Sequence, residues 1–133
     1  MPTKELRITT KARSELVDIT AELLDHLQKI GASSGLLTVF VPHTTAGVTI
    51  NENADPDVST DVTGFMDRLI PQDAGFKHGE GNSDSHIKSS LFSPSLTLIV
   101  EGGTLRLGTW QAVYLAEFDG PRTRQVWVKY VEG

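Results

Sequence analysis

Three of the chain's four histidines stand in polar segments of the kind that form loops and strand ends. His43 lies in Pro42-His43-Thr44-Thr45, His78 in Lys77-His78-Gly79-Glu80-Gly81-Asn82, and His86 in Ser83-Asp84-Ser85-His86-Ile87-Lys88. Neutral imidazole is a good ligand for zinc and similar divalent ions. Three imidazoles leave one coordination position open for water or substrate, which a catalytic metal needs. The chain has no cysteine, so any metal must be held by His, Asp, Glu or neutral oxygens. The eight-residue step from His78 to His86 is not a compact ligand motif such as HExxH. Taken singly, each of the three also reads as a hydrogen-bonded structural histidine. The fourth, His26, sits beside Asp25 on the polar side of a helical pattern and reads as a solvated surface group.

Carboxylates form a second layer. In Asn51-Glu52-Asn53-Ala54-Asp55, Asp55 is accounted for as a helix cap and Glu52 is not. Glu117 and Asp119 close a later segment before Gly120-Pro121. Near the histidines, Glu52 or Asp119 can act as ligand, orienter or general base. Away from them, Glu52 is a solvated loop acid and Asp119 a turn former.

A third layer suits anions. The run Asn82 to Ser90 combines hydroxyls with Lys88 at a predicted helix start, where backbone amides attract phosphate. Lys88 lies inside that helix, and Asp84 repels an anion unless a metal intervenes. The GxxxxGK[ST] pattern of a P-loop is missing. Arg122 and Arg124 offer a planar fork for phosphate or carboxylate, or else pair with acids across strands. Trp110 and Trp127 read as core or subunit-interface residues rather than base-stacking platforms. No G-x-S-x-G elbow and no G-x-G-x-x-G after a strand is present.

The frame that must position these groups is small. With 133 residues the chain is expected to be one domain, spanning 1–133. Its 17 acidic and 12 basic residues give a net charge of −5, which argues against nucleic acid as a partner. The N-terminal Met1-Pro2-Thr3-Lys4-Glu5 has no apolar leader. No run approaches the roughly 18 apolar residues of a membrane span, so no membrane partner and a cytoplasmic location are expected.

Residues 4–9 alternate as a strand, with 15–18 as its possible hairpin partner. Leu23, Leu24, Leu27 and Ile30 predict a helix over about 20–30, capped by Thr20 and ended by Gly31. Residues 36–41 and 46–51 read as strands. Asp55-Pro56 opens a second helix, with Val58, Val62, Phe65, Met66 and Leu69 as its apolar stripe. A short helix is predicted over 85–92, opened by Ser83 or Asp84. Strands follow at 95–101, 104–107, 110–118 and 123–131, with Gly102-Gly103 as a hairpin turn. The fold class is α+β: a β-rich, mostly antiparallel, sheet- or sandwich-like core with two main helices and a short one.

Four motifs in order then carry a family resemblance. His43-Thr44-Thr45-Ala46-Gly47 with Ile50-Asn51-Glu52, Gly81 to Lys88, Gly108-Thr109-Trp110-Gln111, and Glu117 to Arg124 resemble the signature of the YjbQ-type family, known as secondary thiamine-phosphate synthases. The resemblance runs from about Leu6 to Val131. It implies a homotrimer and a polar pocket near the subunit contact. It also implies a divalent metal, zinc or magnesium, at His43, His78 and His86. The implied activity joins hydroxymethylpyrimidine diphosphate to thiazole phosphate and releases pyrophosphate. In that frame Glu52, Asp119 and Lys88 are the candidate catalytic groups. Asn51, Asn82, Ser89, Arg122 and Arg124 are the candidates for binding a phosphorylated substrate. Ser93 stands where many relatives have Gly. Two other readings remain open: a metal-dependent hydrolase using the same histidines, and a trimeric metal- or metabolite-binding protein without turnover.

Overall fold

The computed structural model describes residues 2–133. In chain order the elements are β1 (Lys4–Thr9), β2 (Glu15–Asp18), α1 (Thr20–Lys29), β3 (Gly35–Phe40), β4 (Ala46–Glu52), α2 (Pro56–Leu69), α3 (Ser83–Leu91), β5 (Ser95–Glu101), β6 (Thr104–Leu105), β7 (Gln111–Glu117) and β8 (Thr123–Glu132). The strands form a five-stranded sheet of order β1-β8-β3-β5-β6 and a three-stranded sheet of order β2-β7-β4. All pairings are antiparallel, so the expected α+β class with a β-rich core holds.

The core lies between the two sheets. Leu37 and Val39 of β3, Val126 and Val128 of β8, and Leu98 and Val100 of β5 meet Val48 of β4 and Val113 and Leu115 of β7. Side chains alternate between the faces of a strand, which is why 37 and 39, 126 and 128, and 113 and 115 are buried together. Leu23 and Leu27 of α1 join this cluster. The outer face of β7 is also covered: Ala112, Tyr114 and Ala116 are buried, on the side where α2 and α3 lie.

Four local expectations need correction. β2 is not the hairpin partner of β1. β1 pairs with β8 and β2 with β7 in the other sheet, because the chain changes sheets at buried Thr10, whose amide donates to the carbonyl of Arg122 (2.8 Å). Thr20 does not cap α1. Its hydroxyl instead accepts the Val113 amide (2.9 Å). The stripe of α2 is only partly used: Phe65 and Leu69 are each 56% exposed and no α2 residue is buried. The core reading of the tryptophans does not hold, which leaves the subunit-interface reading: Trp110 is exposed, and Trp127 lies on the outer face of the larger sheet, stacked on Phe40 (centroids 5.9 Å). The cap of α2 is as predicted, with the Asp55 carboxylate accepting the Asp57 amide (2.9 Å). No helix among the described residues is long and apolar enough to cross a membrane.

Candidate functional site

The inward rows of the strands run out in polar residues at one end of the sandwich. Leu37, Val39 and Val41 are followed two residues on by His43. Val113 and Leu115 are followed by Glu117. Arg124 precedes Val126 and Val128. By the period of two, all three polar groups inherit the core-facing direction. They gather beside the start of α3 around an open cleft of ≈ 580 Å³. Its lining includes His43, Thr44, Thr45, Glu80, Asn82, His86, Asp119, Arg122 and Arg124.

The fold therefore brings His43, His86, Asn82, Asp119, Arg122 and Arg124 to one cavity from three separate stretches of chain. His78 stands next to it rather than in it. Its ring meets His86 edge-on (centroids 5.3 Å), and its Nε2 lies 3.5 Å from Glu80. His43 Nε2 accepts the Gln125 amide at 2.9 Å, so in its neutral form the proton sits on Nδ1. Burial and the nearby Arg124 charge lower the His43 pKa below the ordinary histidine value, which favours that neutral form. Among the described residues no three His, Asp or Glu side chains form a ready-made ligand group.

Two candidates lie far from the cleft. Asn51 and Glu52 close β4, while the cleft lies beyond its first residue, Ala46. Six steps of about 3.3 Å put them roughly 20 Å along the strand. Asn51 Oδ1 instead accepts the Glu52 amide (2.7 Å), and the Glu52 carbonyl accepts the Tyr114 hydroxyl (3.0 Å). Ser89 lies in an adjoining depression with His43 and His86. Its hydroxyl is committed to the carbonyls of Thr44 (2.7 Å) and His86 (3.0 Å).

Lys88 is buried rather than offered to a ligand. Its Nζ donates to Asp84 Oδ2 and Asp67 Oδ1, each at 2.8 Å. Arg13 closes on the same Asp84 through both carboxylate oxygens, at 2.8 and 2.9 Å. Burial pushes the Asp84 carboxyl up, but hydrogen bonds from Arg13 and Lys88 overcome this and hold it at about 2. A carboxylate depressed in the folded state stabilises the fold above its ordinary pKa, and that stabilisation is lost as pH falls through the folded value. Wild type is thus expected to lose on the order of 2 kcal/mol between about pH 4 and pH 2 through this group. Urea denaturation across that range checks it. The stability gap between wild type and D84N should narrow as pH falls, and a gap constant with pH would refute the assignment.

Sequence reasoning allowed Arg124 to pair with an acid across strands but did not name Glu117 as the partner under the cleft floor. Glu117 and Arg124 are both buried. Arg124 Nε donates to both Glu117 oxygens (2.9 and 3.0 Å), and Nη2 donates to Glu117 Oε2 (2.5 Å) and Thr45 Oγ1 (2.8 Å). Glu117 Oε1 accepts the Thr10 hydroxyl (2.8 Å), and Oε2 accepts the amides of Phe118 and Asp119 (3.1 Å each). The available signal was the strand period, which turns 113, 115, 117 and 124, 126, 128 inward together.

Asp119 links the two walls of the cleft. Its Oδ2 accepts Asn82 Nδ2 (2.8 Å) and lies 3.3 Å from Arg122 Nη2. Arg122 Nε donates to the Asp119 carbonyl (2.8 Å), and the rest of that side chain is half exposed. Asn82 Oδ1 is buried without a hydrogen-bond partner. A buried acceptor left in this state costs free energy, so this oxygen is chemically suited to a cation or to a donor group of a ligand.

A family model described as "UPF0047 protein YjbQ-like" matches residues 4–133. The UPF0047 protein YugU of Bacillus subtilis is 50% identical over 127 residues, covering 95% of this chain and 96% of that protein. The UPF0047 protein MJ1081 of Methanocaldococcus jannaschii is 50% identical over 125 residues, covering 94% and 91%. A crystal structure of an uncharacterized conserved protein of the YjbQ/UPF0047 family from Clostridium acetobutylicum superposes with a TM-score of 0.93 at 48% identity. It covers 96% of this chain and 99% of that one. The hypothetical protein APE1520 of Aeropyrum pernix gives a TM-score of 0.94 at 36% identity, with both chains fully covered.

Proposed function

The chain belongs to the YjbQ/UPF0047 family, and from that premise we propose that it is a metal-dependent small-molecule enzyme of the thiamine-phosphate synthase type. It would join hydroxymethylpyrimidine diphosphate to thiazole phosphate with release of pyrophosphate. The observation that supports this reading is the make-up of the cleft: one cavity offers Arg122 and Arg124 for anionic oxygens, beside imidazoles and an amide oxygen that has no partner.

The proposal includes a divalent ion, zinc or magnesium, and imidazole donors suit zinc the better of the two. His78 and His86 supply adjacent imidazoles, and Asn82 Oδ1 supplies a neutral oxygen still lacking a partner. His43 completes a set of three only by way of Nδ1, since Nε2 is occupied by Gln125. Such an ion would neutralise charge on the departing pyrophosphate. The half-exposed Arg122 binds and orients phosphate oxygens from the opposite wall. Asp119 holds Arg122 on one side and Asn82 on the other, so it fixes their separation and stands ready to accept a proton. The proposal includes a homotrimer located in the cytoplasm. Leu36, Ile99 and Val131 lie side by side in register on the outer face of the larger sheet, each at least 47% exposed, which gives self-association an apolar surface.

The test is direct. Purified protein given both phosphorylated substrates and Mg²⁺ or Zn²⁺ should form thiamine phosphate. Chelation should abolish product and metal should restore it, and H78A and H86A should each lose at least tenfold. No product with either metal, or full activity in both variants, overturns the reading. Light scattering should give three times the 14.5 kDa chain mass.

A further inference from the structure

Arg124 is a cation whose charge is already answered inside the protein. Three of its hydrogen bonds go to Glu117 and two to Thr45, at its hydroxyl and its carbonyl, all from Nε and Nη2. Nη1 makes no hydrogen bond among the described residues, and Arg124 lines the cleft. The side chain of Glu117 is fully buried and that of Arg124 is 3% exposed, so solvent screens the pair little. Every lone-pair direction of the Glu117 carboxylate is used: by Thr10, by two backbone amides and by the guanidinium. That carboxylate also ties down the Phe118–Asp119 backbone and, through the Thr10 hydroxyl that accepts the Arg122 amide (2.9 Å), the far arm of the same turn.

We infer that Glu117 is a positioning and charge-setting residue of the cleft: it presents Arg124 Nη1 to an oxyanion while cancelling most of the attraction that Arg124 would exert. An anion entering the cleft then competes with Glu117 for the guanidinium, and the half-exposed Arg122, whose own partner Asp119 stands 3.3 Å away, is the more accessible cation. The consequence for turnover is that a phosphorylated product is held weakly enough to leave. This rests on the cleft being the anion-binding site of the proposed enzyme.

The inference predicts an effect that a purely structural acid does not produce. E117Q keeps the shape and acceptor oxygen but removes the charge, leaving a buried cation without its counter-ion. Inorganic phosphate then supplies the missing charge. Calorimetric titration at constant ionic strength should show E117Q binding phosphate about tenfold more tightly than wild type. The gain should vanish in E117Q/R124M, which lacks both charges. Phosphate should likewise raise the melting temperature of E117Q more than that of wild type. If E117Q is recovered only unfolded, refolding yield replaces calorimetry: recovery that depends on phosphate and is absent in E117Q/R124M supports the inference. Equal or weaker phosphate binding in E117Q, or no recovery at any phosphate concentration, overturns it. Failure of the enzymatic reading is seen separately, as absence of thiamine phosphate from the wild type, and leaves the phosphate comparison intact.

Discussion

Lys88→Met is expected to destabilise the protein by about 3–5 kcal/mol, a large share of the roughly 5–15 kcal/mol that holds a domain of this kind folded. The reason is the position of the ammonium group. The Lys88 side chain is 1% exposed and reaches Asp84, which is fully buried, and Asp67, which is 47% exposed. The contact with Asp67 is screened and adds little. The contact with Asp84 is different, because removing one partner leaves a buried carboxylate with only Arg13 to answer it. Methionine fills the space of the lysine stem, so the loss reports on charge rather than on a cavity. In urea denaturation D84N/K88M should recover part of the loss, since both charges are then gone. A phosphate-clamping lysine behaves in the opposite way: K88M would leave stability within 1 kcal/mol and remove anion binding. That outcome would return Lys88 to the list of catalytic candidates.

The contrast between Lys88 and Arg122 shows what can be read from residue types alone. Both are cations in polar motifs, and sequence reasoning treated them alike as groups for phosphate oxygens. Burial separates them. Lys88 shares a helix face with Asp84, four residues before it, and that i, i+4 spacing already marks an intrahelical pair. What spacing cannot supply is Arg13, 71 residues away in the chain, which meets Asp84 from the connection that crosses between the two sheets. The strands were legible from their alternation, and Asp55 and Gly31 (φ +66) from cap chemistry. Pairing partners were not, since two short strands joined by the five residues Thr10 to Ser14 look the same whether they form a hairpin or cross between layers.

The cleft was legible in part for a similar reason. Three of the four motifs contribute to its lining, and Gly108-Thr109-Trp110-Gln111 does not. Asn51 and Glu52 belong to the same motif as His43 in sequence but are carried away by the length of β4, because an extended strand separates its ends as fast as a chain can. Glu117 went the other way. It reads as a strand-end acid, yet it becomes the most completely hydrogen-bonded carboxylate under the cleft, because the inward rows of β7 and β8 converge on it from different sheets.

Gly120→Ala is expected to lower stability by about 3 kcal/mol or more and to weaken phosphate binding in the same stroke. A Cβ at residue 120 would stand 2.3 Å from the carbonyl oxygen of Ala12, 2.8 Å from Thr10 Oγ1 and 2.9 Å from Glu117 Cγ. The first neighbour is backbone, which cannot swing aside as a flexible side chain does, so the turn itself must move. That turn carries Asp119 and Arg122, and Thr10 and Glu117 are the groups that fix its two arms. Displacing it disturbs the wall of the cleft and the counter-ion beneath it together. Gly35→Ala is the matched control. Its Cβ would lie 2.1 Å from the Val131 carbonyl oxygen, at φ +156, but Gly35 opens β3 at the end opposite His43. Both variants should lose stability in urea denaturation. Only G120A should lose phosphate affinity, by tenfold or more if Arg122 gives up one charge-assisted contact, with calorimetry run at a temperature where circular dichroism shows both variants folded. Wild-type phosphate affinity in folded G120A would separate the turn from anion binding, and Asp119 and Arg122 would then stand on the rim of the cleft without serving it.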